Sequence, residues 1–183
     1  MSEEYERLLR LAREQKYPPV ATWEPDRVGE IDIRIRADGV WFHEGTEIKR
    51  RAISRLFSTV LRREDDDYYL VTPVEKLRIV VEDVPFGAIA MEVAGTGRDQ
   101  SLLFTTNCDD HVVASKDHPL RIGSSRMGPK PYLMVRDGLE ALVARSVYYR
   151  LVELVEDEEA DELCVWSAGA RFVLGQAKME DER

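Results

Sequence analysis

Apolar residues recur at helical spacing between Glu3 and Lys16. Tyr5, Leu8, Leu9 and Ala12 stand among glutamates and arginines, which predicts an amphipathic helix over 3–16. Pro18 and Pro19 stop it, and a connector carrying Trp23 leads to Gly29. The period then becomes two. Ile31, Ile33 and Ile35 alternate with Asp32, Arg34 and Arg36, a strand buried on one face. Asp38-Gly39 is the pair favoured in a type I′ turn, with Val40–Glu44 as the return strand. From Lys49 to Arg63 the period lengthens again. Ile53, Leu56, Phe57, Val60 and Leu61 fall at i, i+3, i+4, i+7 and i+8, one helical face. Asp65–Asp67 form a polar loop, and Tyr68–Thr72 a strand stopped at Pro73.

The middle of the chain reads as β. Leu77–Val81, Phe86–Ala94, Gln100–Thr106 and His111–Ala114 are strands, with Gly95–Asp99 as a hairpin loop. The last third repeats the first in outline. Leu120–Ile122 is a short strand, Pro129–Pro131 a break, and Tyr132–Arg136 a strand. Leu139, Leu142, Val143, Ser146 and Val147 carry the helical offsets of the Ile53 face. An acidic loop, Glu156–Glu162, precedes strands Leu163–Trp166 and Arg171–Leu174, joined by Ser167-Ala168-Gly169. The tail from Lys178 is polar. This order predicts an α+β fold of two related hairpin–helix–strand halves with mainly antiparallel strands. The divisions are an N-terminal helix and connector (1–28), a first half (29–84), a second half (85–177) and a tail (178–183).

Composition narrows the function classes. Of 183 residues 44% are hydrophobic, enough for a core, and the net charge of −9 disfavours a nucleic-acid polymer as partner. A small phosphorylated ligand needs only two or three arginines. Cys108 and Cys164 fit no zinc spacing and read as reduced thiols of a cytoplasmic protein. The stretch Ser2–Lys16 is charged throughout, unlike a signal peptide, and no apolar run reaches the ~18 residues of a membrane span.

Five stretches together resemble the bacterial domain-of-unknown-function family 1285. They are Gly29–Ile35 with Asp38–Gly45, Leu56–Glu64, Leu70–Lys76, Pro131–Tyr149 by way of Gly138–Leu142, and Val165–Ser167. The resemblance implies a duplicated α+β fold with a pleckstrin-homology-like second half. It also implies a ligand site between the halves, a nucleotide-like ligand and a role in signalling, but no reaction.

The candidate site residues follow from the helices. Arg55, Arg62 and Arg63 are expected late on the first, and Arg145, Tyr148 and Tyr149 on the matching part of the second, with Trp41 and Trp166 on strands beside them. Arginine forks bind phosphate bidentately and aromatic faces stack on a base. Late-helix arginines also favour the helix dipole and pair with surface acids, which is the plainer reading. Lys76 and Thr72, held extended by Pro73, form a second-tier site. Gly95-Thr96-Gly97 lacks the following helix of a phosphate loop. Cys108-Asp109-Asp110-His111 places its ligands too close together for one metal, so neither metal nor cofactor is expected. No motif specifies catalysis, although a hydrolase using His43 or His118 stands as the least favoured class. The leading expectation is a binding or sensor protein for a small anionic, nucleotide-like ligand. The alternative is a protein-interaction module without a small ligand, and a homodimer fits either.

Overall fold

The computed structural model describes residues 3–125, 128–157 and 162–176. Most of the expected acidic loop Glu156–Glu162, and the tail from Lys178, lie outside these residues. Among the described residues no helix is long and apolar enough to cross a membrane.

The N-terminal helix α1 spans Glu3–Arg13. Seven residues past its end, Val20–Thr22 make one 3₁₀ turn. The first half is a six-stranded sheet of β1 (Arg27–Ile35), β2 (Trp41–His43), β3 (Thr46–Glu47), β4 (Leu61–Glu64), β5 (Asp67–Val71) and β6 (Glu75–Val81), in the order β3-β2-β1-β6-β5-β4. The second sheet holds β7 (Phe86–Ala94), β8 (Ser101–Thr106), β9 (His111–Val113), β10 (Leu120–Ser125), β11 (Gly128–Arg136) and β12 (Leu139–Val143), in the order β10-β11-β12-β7-β8-β9. The two orders are the same topology. In each half the first and last strands pair in parallel at the centre, β1 with β6 and β7 with β12. Antiparallel neighbours extend the sheet on both sides. The sheets are therefore mixed, not antiparallel throughout. A third sheet, β13 (Glu156–Asp157), β14 (Glu162–Ser167) and β15 (Ala170–Gln176), packs beside β10. The pleckstrin-homology likeness remains an implication of the family resemblance.

The expected duplication holds for the strands and not for the helices. Helix α2 spans Arg51–Thr59 and lies between β3 and β4. Helix α3 spans Arg145–Val152 and follows β12, so the two are not equivalent. The periodicity over Lys49–Arg63 misled because a helix and a strand abut. Leu61 leaves the helix and pairs with Leu70. The buried face of α2 carries Ser54 and Ser58, while Leu56, expected inward, is 63% exposed. Likewise Leu139–Val143 is strand β12, paired on both sides, and only Ser146 and Val147 of that set are helical. The Pro129–Pro131 break is part of β11. Its pairing with β12 starts at Tyr132, so the prolines sit where the strand is paired on one side alone.

Turn chemistry sets the registers. Asp38-Gly39 is not type I′, because Asp38 keeps a negative φ. Gly39 alone is left-handed (φ +80), and its N–H donates to Arg36 O at 2.8 Å, a three-residue loop ending in a left-handed glycine. The two-residue loops with both φ positive are Glu44-Gly45, Asp137-Gly138 and Ala168-Gly169.

One core joins all three sheets. Ile33, Ile35, Trp41 and Ile79 of the first pack with Phe86, Phe104, Leu133 and Leu139 of the second and with Val165, Phe172 and Leu174 of the third. Sheet edges are covered or short. Helix α1 lies along β9, β15 along β10 and the 3₁₀ turn along β4, while β3 has two residues. The Gly39 loop also docks on the second half. Asn107 Nδ2 donates to Gly39 O at 2.9 Å, and Gly87 N donates to Asn107 Oδ1 at 3.0 Å.

That dock yields a test. A Cβ on Gly39 would lie 2.8 Å from Asn107 Nδ2, whereas one on Gly45, also left-handed, meets nothing within 4 Å. Gly45→Ala is expected to cost about 1 kcal/mol for the backbone alone. Gly39→Ala is expected to cost about 1 kcal/mol more than that. Urea unfolding of the two variants measures the difference, and equal losses would mean that Asn107 does not hold the loop.

Candidate functional site

Where the two halves and the N-terminal segment meet, a cleft of about 450 Å³ opens. Its walls come from the end of α1 and the strap after it (Leu11, Gln15, Tyr17), from α2 (Arg55, Ser58) and from the β8–β9 turn (Cys108, Asp109, Asp110).

That turn is built by Thr106. Its hydroxyl accepts from Cys108 N (3.2 Å) and Asp110 N (3.0 Å) and donates to Asp110 Oδ2 at 2.9 Å. This holds the Asp110 carboxylate inward, where it is 3% exposed. Arg136 Nη1 donates to Asp110 Oδ1 at 2.6 Å, and Arg136 Nη2 donates to Ser58 O, near the C-terminus of α2, at 2.7 Å. The guanidinium lies over two rings, 4.1 Å from that of Tyr17 and 5.0 Å from that of Phe86. The Tyr17 hydroxyl reaches Asp110 and, at 2.7 Å, Gln15 Oε1. Buried charge is costly unless paired and hydrogen-bonded, and here both partners are.

At the mouth of the cleft the same turn offers Asp109, left-handed at φ +65. Its carboxylate takes Arg51, and Arg55 one turn later at 3.6 Å. These two arginines are 58% and 62% exposed, so their pairs are weak and exchangeable.

Of the residues expected at the site, Arg55 lines this cleft and the others are placed elsewhere. Arg62 and Arg63 are on β4, not on a helix. Arg62 clamps the connector, donating to Val20 O (3.2 Å) and Trp23 O (2.8 Å) and pairing with Glu64. Arg63 spends its guanidinium on Asp65 O and, across the halves, Gly138 O. Lys76 pairs with Glu64 at 2.9 Å over the Tyr69 ring. The Thr72 hydroxyl accepts from Glu75 N at 3.2 Å, a turn-forming bond. Trp41 is core, its ring 6.2 Å from Phe57. Trp166 sits under Arg98. Arg145 opens α3 instead of closing it, so the expected dipole benefit is reversed. Tyr148 packs on the core and Tyr149 is exposed. His43 is exposed on the β2–β3 hairpin, and His118 Nδ1 is 3.2 Å from Met134 O. Among the described residues, no three His, Cys, Asp or Glu side chains gather to hold a metal.

Sequence reasoning missed Tyr17, Arg51, Asp109, Asp110 and Arg136. The Cys108–His111 stretch was legible as a turn. Its pairing with Arg136, 26 residues away, left no local signal.

Two family models match consecutive parts of the chain. The family described as "Domain of unknown function (DUF1285), N-terminal domain" matches residues 18–84, and that described as "Protein of unknown function (DUF1285), C-terminal domain" matches 85–174. A DUF1285 family protein from Silicibacter pomeroyi DSS-3 is 48% identical, with a TM-score of 0.83 over 92% of this chain and 94% of its own. One from Shewanella baltica OS155 is 28% identical, with a TM-score of 0.54 over 68% of this chain and 92% of its own. No curated protein matches the chain.

Two predictions follow from the chemistry of the cleft. Arg136→Met leaves Asp110 buried and unpaired and is expected to cost about 3–5 kcal/mol. Adding Asp110→Asn should restore part of this loss, and a denaturant double-mutant cycle reads the coupling. Strictly additive losses would mean that the pair is not coupled.

The second concerns alkaline pH. Burial, and then the Asp110 carboxylate, pushes the Cys108 thiol from 9.0 up to about 11. Burial and the Asp110 bond also push the Tyr17 phenol well above its ordinary value. Both groups are acids that the folded state keeps protonated, so the unfolded chain binds fewer protons and stability falls as pH rises. The thiol's share of the loss runs from about pH 9 to 11 and amounts to about 2–3 kcal/mol. Cys108→Ala should remove the part that begins near pH 9 and leave the later fall due to Tyr17. An unchanged pH profile would remove the thiol from the account.

Proposed function

Because the chain belongs to the DUF1285 family, defined by sequence and fold and not by a reaction, we propose from its cleft that it is a binding protein for a small anion of about mononucleotide size. One observation carries the reading. Two exposed arginines of the first half, Arg51 and Arg55, are held by a single carboxylate of the second, Asp109. A phosphate is a stronger partner for two guanidinium forks than one shared carboxylate. Displacing an exposed ion pair costs about 0–1 kcal/mol. The cleft volume of about 450 Å³ falls within the range of small-molecule sites, and Lys16 on its wall adds a further cation.

The buried groups beneath serve a different purpose. Arg136 is satisfied by Asp110 and Ser58, so it ties the halves together and has no donor to spare for a ligand. A ligand that takes Arg51 and Arg55 frees Asp109 and changes the contact between α2 and the β8–β9 turn. The relative populations of two packings of the halves would then depend on the ligand, which a protein partner can read. This is the sensor role.

Thermal unfolding against mononucleotides, cyclic nucleotides, dinucleotides and inorganic phosphate tests it. A ligand at about 100 times its dissociation constant stabilises by about 2.7 kcal/mol, a rise of roughly 5–10 °C for a chain of this size. Reversing both charges, Arg51→Glu with Arg55→Glu, should abolish the shift. Arg62→Gln should lower the midpoint through loss of the connector clamp and leave the ligand shift intact. A shift that survives the double reversal contradicts the site. A flat panel contradicts the ligand class and favours the protein-interaction module.

A further inference from the structure

The N-terminal segment carries more than the reading above requires. Helix α1 packs Leu8, with Leu9, Leu11 and Ala12 around it, on Ala94, Leu103 and Val113, a small cluster separate from the core that joins the three sheets. Past the helix, Gln15 imitates a strand. Its Nε2 donates to His111 O at 2.6 Å and its Oε1 accepts from His111 N at 3.0 Å. Two residues on, Tyr17 latches onto Asp110 and covers Arg136. Then Arg62 fastens Val20 and Trp23 to β4. The segment from Glu3 to Tyr17 thus ends at a fixed point. The family match also begins beside it, at residue 18.

A second cavity, of about 400 Å³, lies on the other side of this segment. Gln15, Tyr17 and His111 belong to the walls of both cavities. Gln15 and Tyr17 of the segment thus stand between the two cavities. Arg55 lines the first cavity and Arg136 the second.

We infer that residues 3–17 are a hinged strap whose opening joins the two cavities into one trough, with Tyr17 as its latch and the doubled proline Pro18-Pro19 as its hinge. The strap opens to admit the anion and closes over it. Its attachments suit that task. A small apolar cluster, the exposed Arg7–Glu92 ion pair, a pair of amide bonds, the phenol–carboxylate bond and the Tyr17 ring's contact with Arg136 are local and open together without breaching the main core. Removing the latch bond leaves Asp110 still paired with Arg136 and Thr106, so opening strands no buried charge. The strap's motion stands on these contacts alone, and its role as a gate rests on the anion-binding reading of the cleft.

Hydrogen exchange by mass spectrometry on the full chain tests both parts, with adenosine monophosphate as the probe. In ligand-free protein the peptide covering 3–17 should exchange at least 100-fold faster than those covering β7 and β8. Tyr17→Phe should speed its exchange by about tenfold further, and Gln15→Ala should do the same while also exposing the amide of His111. Saturating probe should slow the strap in the wild type. A strap that exchanges only as fast as β7 and β8 overturns the inference, whether or not the probe binds. A probe that stabilises the protein but leaves strap exchange unchanged overturns the gate and leaves the binding site standing. A probe that does not bind defeats the anion site and the gate together, and the ligand-free arms still decide whether the strap opens.

Discussion

The arrangement of the molecule depends on one buried ion pair, Arg136 with Asp110. A guanidinium that is 13% exposed must spend its donors inside the protein, and the groups that receive them come from different segments. Asp110 lies in a turn of the second half, and Ser58 O is near the end of a helix of the first. The guanidinium also lies against the rings of Tyr17 and Phe86. Satisfying this one side chain brings both halves and the N-terminal segment to the same place. Beside this buried pair, the exposed pairs of Arg51 and Arg55 with Asp109 are the exchangeable part.

Duplication explains the body but not the site. Each half closes its sheet by pairing its first and last strands in parallel, a connection that spans the whole half and so ties its ends together. Helices were inserted at different points of this repeated frame, α2 after the third strand and α3 after the sixth. The site therefore has no twofold character. It takes a helix from one half and a turn from the other, and the two arginines of α3, Arg145 and Arg150, are not among its lining residues.

Much of the strand pattern was legible. Phe86–Ala94 alternates poorly yet reads as a strand from its apolar run between loop residues, and Ile31–Ile35 alternates cleanly because one face is core and the other is solvent. The failures have physical causes. Val60-Leu61 continues the helical period of Ile53 and Phe57 by coincidence, and cross-strand pairing of Leu61 with Leu70 outweighs it. Arg62 and Lys76 looked like ligand groups because nothing local shows that Trp23 O and Glu64 consume them. The place of Arg55 on a helix was legible because it falls in the part of the periodic stretch Lys49–Arg63 that is helical. Arg136 and Asp110 were not, since ion pairs made through tertiary contact carry no periodicity.

The central claim is that the arginines of α2 at the cleft mouth, and not those of β4, are the anion-binding groups. Arginine Nε–H resonances followed by NMR during a titration with adenosine monophosphate address it residue by residue. The account predicts saturable shifts of Arg51 and Arg55 with a common midpoint, while Arg62 and Arg63 stay in place. Saturable shifts confined to Arg62, Arg63 or Arg145, with Arg51 and Arg55 unmoved, would contradict it.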